Sequence, residues 1–173
     1  MHNNTIISKK FIINLKRKIH NKPEEMAFIC IGSNEIIGDS IGPRIGSFLK
    51  QNTKLQVYGD MKNNLSKEEE IKNISNKLKN KFIVAIDSAL SNYDDIGEIY
   101  VTNKSLKIAE GINIDKGNIG NLSIKIVVAE NMNDIYKNIF NLKNTDIEFI
   151  DKLAFIVANG IKLTLDWLRK IYL

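Results

Sequence analysis

The stretch FICIGSNEIIGDSIGPRIGS, residues 28–47, decides the fold. Its apolar run halts at Gly32, a polar loop follows, and Asp39-Ser40 opens an apolar helical pattern, so the segment reads as strand, loop and helix start. Pro43 falls in the first turn of that helix, where a missing N–H leaves no bond unmade. Asp39 therefore stands either as a helix cap or as an acid at the carboxyl edge of a strand, where open α/β sheets hold their ligands.

The rest of the chain reads as a sheet built around this corner. Residues 55–58 form a short second strand, and residues 66–78 a helix that opens Ser-Lys-Glu-Glu-Glu, an N-cap with acids in the first turn. Ile71, Ile74 and Leu78 share one face of it. Residues 82–86, FIVAI, are a second buried strand that stops at Asp87. Strands at 97–102 and 123–129 follow, separated by a glycine-containing loop at 111–121, and helices close the chain at 132–142 and 146 to about 169. Upstream, Ile6, Phe11, Ile12, Leu15 and Ile19 form a helical stripe ended by Asn21 and Pro23, making residues 1–25 an N-terminal helical extension. Alternating strands and helices predict a single α/β domain over 1–173, a three-layer α/β/α sandwich around a mainly parallel sheet.

Composition fits an ordinary globular domain: 173 residues, 43% hydrophobic and 26% charged, enough to bury a core without staples. The single cysteine, Cys30, lies within the first apolar strand, so no disulfide framework exists and a reducing, cytoplasmic compartment is expected. The net charge of +5 comes from lysines scattered among asparagines and isoleucines, without a basic run interleaved with aromatics, which argues against a nucleic-acid partner. No apolar stretch approaches the ~20 residues of a membrane span, and no signal-peptide pattern opens the chain. The oligomeric state is open, a homo-oligomer included.

Gly32, Gly38 and Gly42 form neither GxGxxG nor GxxxxGK[ST], and no lysine stands where a phosphate would need it, so a nucleotide cofactor is not expected. His2 and His20 flank the first helix as surface residues, outside any metal-ligand spacing. Cys30 is expected buried, and no histidine lies close to a serine in sequence, which disfavours a nucleophilic triad. Two carboxylates remain. Asp39 and Asp87 each follow a central strand, and in a parallel sheet both positions face the same edge. Two such acids brought together cannot both ionise easily, so one keeps its proton while the other acts as a base toward water. The alternative is structural: Asp39 caps its helix and Asp87 ends its strand.

CIGSNEIIGDSIGP, then VYGD, then FIVAIDSAL, an IGEI segment and a glycine loop resemble the YyaC-type sporulation proteins. That family is read as small relatives of the spore germination protease, the aspartic-type enzyme that degrades small acid-soluble spore proteins. More distantly, the corner is similar to the hydrogenase maturation peptidases, whose α/β/α fold is phosphorylase/hydrolase-like. The resemblance implies that Asp39 and Asp87 are the catalytic pair. The metal-binding histidine of the hydrogenase peptidases has no counterpart here, which favours water activation without a metal or other cofactor.

The resulting expectation is a spore-associated aspartic-type peptidase acting on a protein or peptide substrate, small acid-soluble spore proteins among them, in the forespore or spore core. Ser33, Asn34, Ser40, Ser88 and Gly117 are candidate substrate-binding neighbours, with backbone N–H groups near Ser40 available to an oxyanion at the helix start. Gly111, Gly117 and Gly120 either shape a substrate loop or belong to an ordinary surface loop. The alternatives are a non-catalytic spore protein that uses the same fold to bind peptides, and a cation-dependent hydrolase that adds Asp60 to the two acids.

Overall fold

The computed structural model describes residues 2–107 and 118–172. In chain order the elements are α1 (His2–Lys18), β1 (Met26–Cys30), α2 (Ile41–Asn52), β2 (Gln56–Tyr58), α3 (Glu68–Lys77) and β3 (Phe82–Ser91). They continue with β4 (Ile99–Thr102), β5 (Leu106–Lys107), β6 (Asn118–Ile119), β7 (Leu122–Glu130), α4 (Ile135–Lys143) and α5 (Ile147–Ile171). The main sheet has the order β2-β1-β3-β7-β4; β1, β2, β3 and β7 are parallel, and β4 runs antiparallel to β7 at the edge.

Strand alternation divides the core into two layers. Met26, Phe28 and Cys30 of β1, with Val84 and Ile86 of β3, face α1, α2 and α5. Ala27, Ile29 and Ile31, with Ile83 and Ala85, face α3 and the β5–β6 pair. Helices on both faces of a largely parallel sheet give the α/β/α sandwich anticipated from the alternating pattern. Phe11 and Leu15 of α1, with Ile19 just after it, are buried in the first layer, so the N-terminal helix is part of the core.

Several elements differ from the sequence reading. β3 does not stop before Asp87: pairing with β7 carries it on to Ser91, with a register shift between Ala89 and Leu90, so Asp87 lies inside the strand. Helix α3 begins at Glu68 after Lys67, without a side-chain cap, and the Ser66 hydroxyl accepts from Asn64. Helix α4 begins at Ile135 rather than 132, capped by Asp134 accepting from the Lys137 N–H. Within the expected loop at 111–121, Asn118–Ile119 form β6 and pair with β5; Gly111 and Gly117 lie outside the described residues.

Candidate active site

The corner after β1 is set by backbone contact. Gly32 has φ of 141°, and a Cβ there would stand 2.0 Å from the Asp39 carbonyl oxygen, so this glycine lets the loop close back onto the strand end. At Gly42 a Cβ would meet the Ile31 carbonyl at 2.0 Å, so the first turn of α2 can press against the same strand end. Together these contacts hold Asp39 in a 3-10 turn, Gly38–Ser40, immediately before α2.

Asp39 does not cap α2. Its Oδ2 accepts from the Ser33 N–H at 2.7 Å and its Oδ1 from the Ser88 hydroxyl at 2.9 Å. Two donors on the two oxygens fix the plane of the carboxylate and tie the β1 loop to β3. Ser88 is the residue after Asp87, so the strand that carries one acid also orients the other.

Asp87 projects from β3 on the α3 side of the sheet, one residue beyond the Cys30–Ile86 pair that ends β1. In register, Lys125 of β7 stands beside it, and Tyr100 of β4 stands beside Lys125. Burial holds the Asp87 carboxyl well above the ordinary aspartate range, and the charge of Asp39 adds to this; the Ser88 N–H and Lys125 act in the opposite direction.

Both acids and Ser88 line one cleft of about 660 Å³. Its lining includes apolar side chains from two helices, Ile71 of α3 and Ile135, Ile139 and Leu142 of α4, together with Ile36 and Val127. Helix α4 has an unusual polarity. Asn138 is its buried residue, donating to Asn131 Oδ1 and accepting from the Met132 N–H, while Tyr136 and Phe140 are 81% and 66% exposed.

The other candidate residues are placed elsewhere. Ser33 reaches Asp39 through its backbone N–H, and its hydroxyl accepts from the Glu35 N–H. Asn34 is exposed and donates to the Met61 carbonyl, outside the cleft lining. Ser40 is buried; its hydroxyl donates to the Ile37 carbonyl and accepts from Arg44, and its own N–H is shared between the Ile36 and Ile37 carbonyls. Asp60 is held by Lys50 and the N–H groups of Lys62 and Asn63 and does not border the cleft. Among the described residues no three His, Cys, Asp or Glu side chains converge in a group that could hold a metal ion. His20 is exposed, and burial pushes the Cys30 thiol up to about 12, the mark of an inert core cysteine rather than a nucleophile.

Sequence reasoning missed Lys125, Tyr100 and the α4 wall. For Lys125 a signal existed: it is the one charged residue between Leu122 and Ala129. For α4 there was little, since apolar residues at helical spacing ordinarily face a core.

Residues 1–160 match the model of a family described as "Protein of unknown function (DUF1256)". The uncharacterized protein YyaC of Bacillus subtilis (strain 168) is 31% identical over 153 residues, covering 86% of this chain and 72% of that protein. Among solved structures, the NiFe hydrogenase maturation protease HycI from Thermococcus kodakarensis KOD1 is similar with a TM-score of 0.61 and 17% identity, over 88% of this chain and 99% of HycI. An uncharacterized protein from Wolinella succinogenes is similar with a TM-score of 0.50 and 16% identity, over 83% of this chain and 98% of that one. The chain has the fold of the hydrogenase maturation protease HycI. Among the described residues no helix is long and apolar enough to cross a membrane.

Proposed function

The chain belongs to the DUF1256 family, and from that premise and its cleft we propose that it is an aspartic-type peptidase in which Asp39 and Asp87 share one proton. The observation that carries this reading is the asymmetric pair of acids on one cleft. Asp39 is used as an acceptor at both oxygens, the hydrogen-bonding state of a carboxylate, while Asp87 is held toward its protonated form. Water between them loses a proton to Asp39 as its oxygen bonds to the peptide carbonyl carbon. The proton of Asp87 passes to the departing amine as the C–N bond breaks. The pair thereby supplies base and acid in one step sequence, and proton return from Asp39 to Asp87 resets it.

A peptide fits the cleft walls. Apolar side chains on α3 and α4 leave room for an extended segment, and the acids at the floor meet its backbone. The spore setting is the finer part of the proposal. It is supported by the resemblance of the two Asp-bearing motifs to the YyaC-type and germination-protease sequences, which points to spore proteins, small acid-soluble ones included, as substrates in the forespore or spore core.

The experiment is a mass-spectrometric screen of the full chain against a peptide library and against small acid-soluble spore proteins, with Asp39→Asn and Asp87→Asn as controls. Cleavage by the native chain and its loss in both variants is the expected result. Turnover that survives in both variants removes the acid pair from the chemistry. Folded, stable protein that binds peptides without cleaving any would favour the non-catalytic binding module.

A further inference from the structure

β3 outruns β1. Their ladder ends at Cys30 and Ile86, with a last bond from the Ile31 N–H to the Ile86 carbonyl, whereas β3 continues beside β7 to Ser91. Burial records the change: residues 83–86 are buried, and residues 88–91 are only partly so. Along a strand within a parallel sheet, the backbone groups of successive residues point alternately to the two neighbouring strands. Two bonds fix which residues of β3 face which way. The Ile86 carbonyl points to β1, and the Ser91 carbonyl, which accepts from the Asn131 N–H, points to the β7 side. Ser88 and Leu90 therefore face the same way as Ile86, past the point where β1 has ended.

The Ser88 N–H is turned to the Asp87 carboxyl. Among the described residues no backbone group pairs with the Ser88 carbonyl or with the Leu90 N–H and carbonyl. Residues 87–91 all line the cleft, with Gly32 just beyond the end of β1, so this open length of strand edge belongs to the cleft that holds the acids. The acids flank it from the two faces of the sheet. Asp87 leaves β3 on the α3 side, while Ser88, the next residue, leaves it on the opposite face and holds the Asp39 carboxylate. A strand edge with unmade bonds is a template for another strand. Its complement is a run of N–H and C=O groups at strand spacing, which an extended polypeptide carries.

We propose, on the acid-pair reading of the cleft, that the substrate is an unstructured polypeptide segment that adds to the sheet as a strand beside residues 88–90, continuing the line of β1. Its backbone pairs with the Ser88 carbonyl and the two Leu90 groups, which read no side chain, and these bonds hold one of its peptide bonds between Asp39 and Asp87. Alternate side chains of the segment face Ile71 and Tyr100 on one side of the sheet and Ile139 of α4 on the other, and selectivity comes from those contacts. A helix spends its backbone groups internally and offers none to this edge. The substrate class is therefore disordered or locally unfolded chain.

The test is amide hydrogen exchange read by nitrogen-15 NMR on the full chain carrying Asp87→Asn, alone and with peptides selected on it from a display library of random sequences. In the free chain the Leu90 amide should exchange at least about tenfold faster than those of Ala89 and Ser91, which face β7. With a selected peptide bound, Leu90 exchange should slow by about tenfold or more. N-methylation along the peptide should weaken binding by about tenfold at alternate positions and little at those between. A Leu90 amide already protected in the free chain, peptide binding that leaves its exchange unchanged, N-methyl effects without alternation, or a library from which no peptide binds would each overturn the proposal. Hydrolysis by the native chain is read separately. If it cleaves peptides while Leu90 stays unprotected, strand addition falls and the peptidase reading stands; if Leu90 is protected and nothing is cleaved, strand addition stands and the peptidase reading falls.

Discussion

The Ser88 hydroxyl donates to Asp39 Oδ1 at 2.9 Å, so the residue that follows one cleft acid holds the other in place. In Ser88→Ala the Asp39 carboxylate keeps the Ser33 N–H but is free to turn about it. A hydrogen bond to a charged group is worth about 1.5–3 kcal/mol, which corresponds to a fall in kcat of about 10- to 100-fold if the bond is needed in the transition state. Steady-state kinetics with a cleaved peptide check this, and an unchanged kcat would mean that Ser33 alone suffices.

Asp87→Asn separates stability from function. The folded chain holds a proton on Asp87 that the unfolded chain has released at any pH between the ordinary aspartate value and the raised one. The native state therefore binds more protons than the unfolded state across that window, and stability falls as pH rises through it. Asparagine does not titrate. The variant should match the native chain below the ordinary aspartate range and exceed it increasingly toward neutral and alkaline pH, by about 2–4 °C in Tm for each kcal/mol relieved. Thermal unfolding at several pH values tests this; a variant that is less stable at neutral pH contradicts the account.

Asp60 behaves in the opposite sense. Burial pushes its carboxyl up, but Lys50 and the N–H groups of Asn63 and Lys62 outweigh burial and hold it below the ordinary value. Its contribution is present above the unfolded aspartate value and disappears as pH falls through the folded one. Asp60→Asn should cost about 1–3 kcal/mol at neutral pH and leave peptide cleavage intact. Loss of cleavage in a folded Asp60→Asn chain would revive the three-acid cation site.

How much of this was legible in the sequence depends on what each signal measures. An apolar run ending at a glycine and followed by an Asp fixed β1 and the position of Asp39, and FIVAI followed by Asp placed the second acid on a neighbouring strand. The end of β3 was hidden because Ser-Ala-Leu-Ser carries no β-branched residue; pairing with β7 overrides that weak propensity. Ser40 looked like a free donor beside the helix start, yet the 3-10 turn uses both its N–H and its hydroxyl, which composition does not reveal. The sequence marked 132–142 as helical without telling which side faces out, and there the polar Asn138 is the anchor.

Gly32→Ala tests the corner itself. The new Cβ would overlap the Asp39 carbonyl oxygen, a backbone atom that cannot yield without moving the turn, and the positive φ adds strain. A loss of about 2–4 kcal/mol is expected, with cleavage abolished even at temperatures where the chain stays folded, because the Asp39 carboxylate is displaced from Ser88. A folded Gly32→Ala chain that cleaves normally would show that the loop tolerates a different path to the same carboxylate position.

Ile139 is the position where the apolar wall of the cleft and the exposed side of α4 meet: it lines the cleft and is 39% exposed. A substrate segment that runs from the acids along α4 must cover it, and covering an isoleucine is worth up to about 1.5–3 kcal/mol. Replacing it with a charge removes that gain and adds a desolvation cost on binding. Ile139→Glu should therefore raise KM about tenfold or more with kcat little changed, the pattern of an interaction made equally in the bound substrate and in the transition state. Stability should stay within about 0.5 kcal/mol, since the side chain already meets solvent. Ile135→Glu, one helical turn earlier on the same wall, gives a second reading of the same route. If both variants keep the native KM, the substrate leaves the acids on the α3 side, and the apolar face of α4 has no part in holding it.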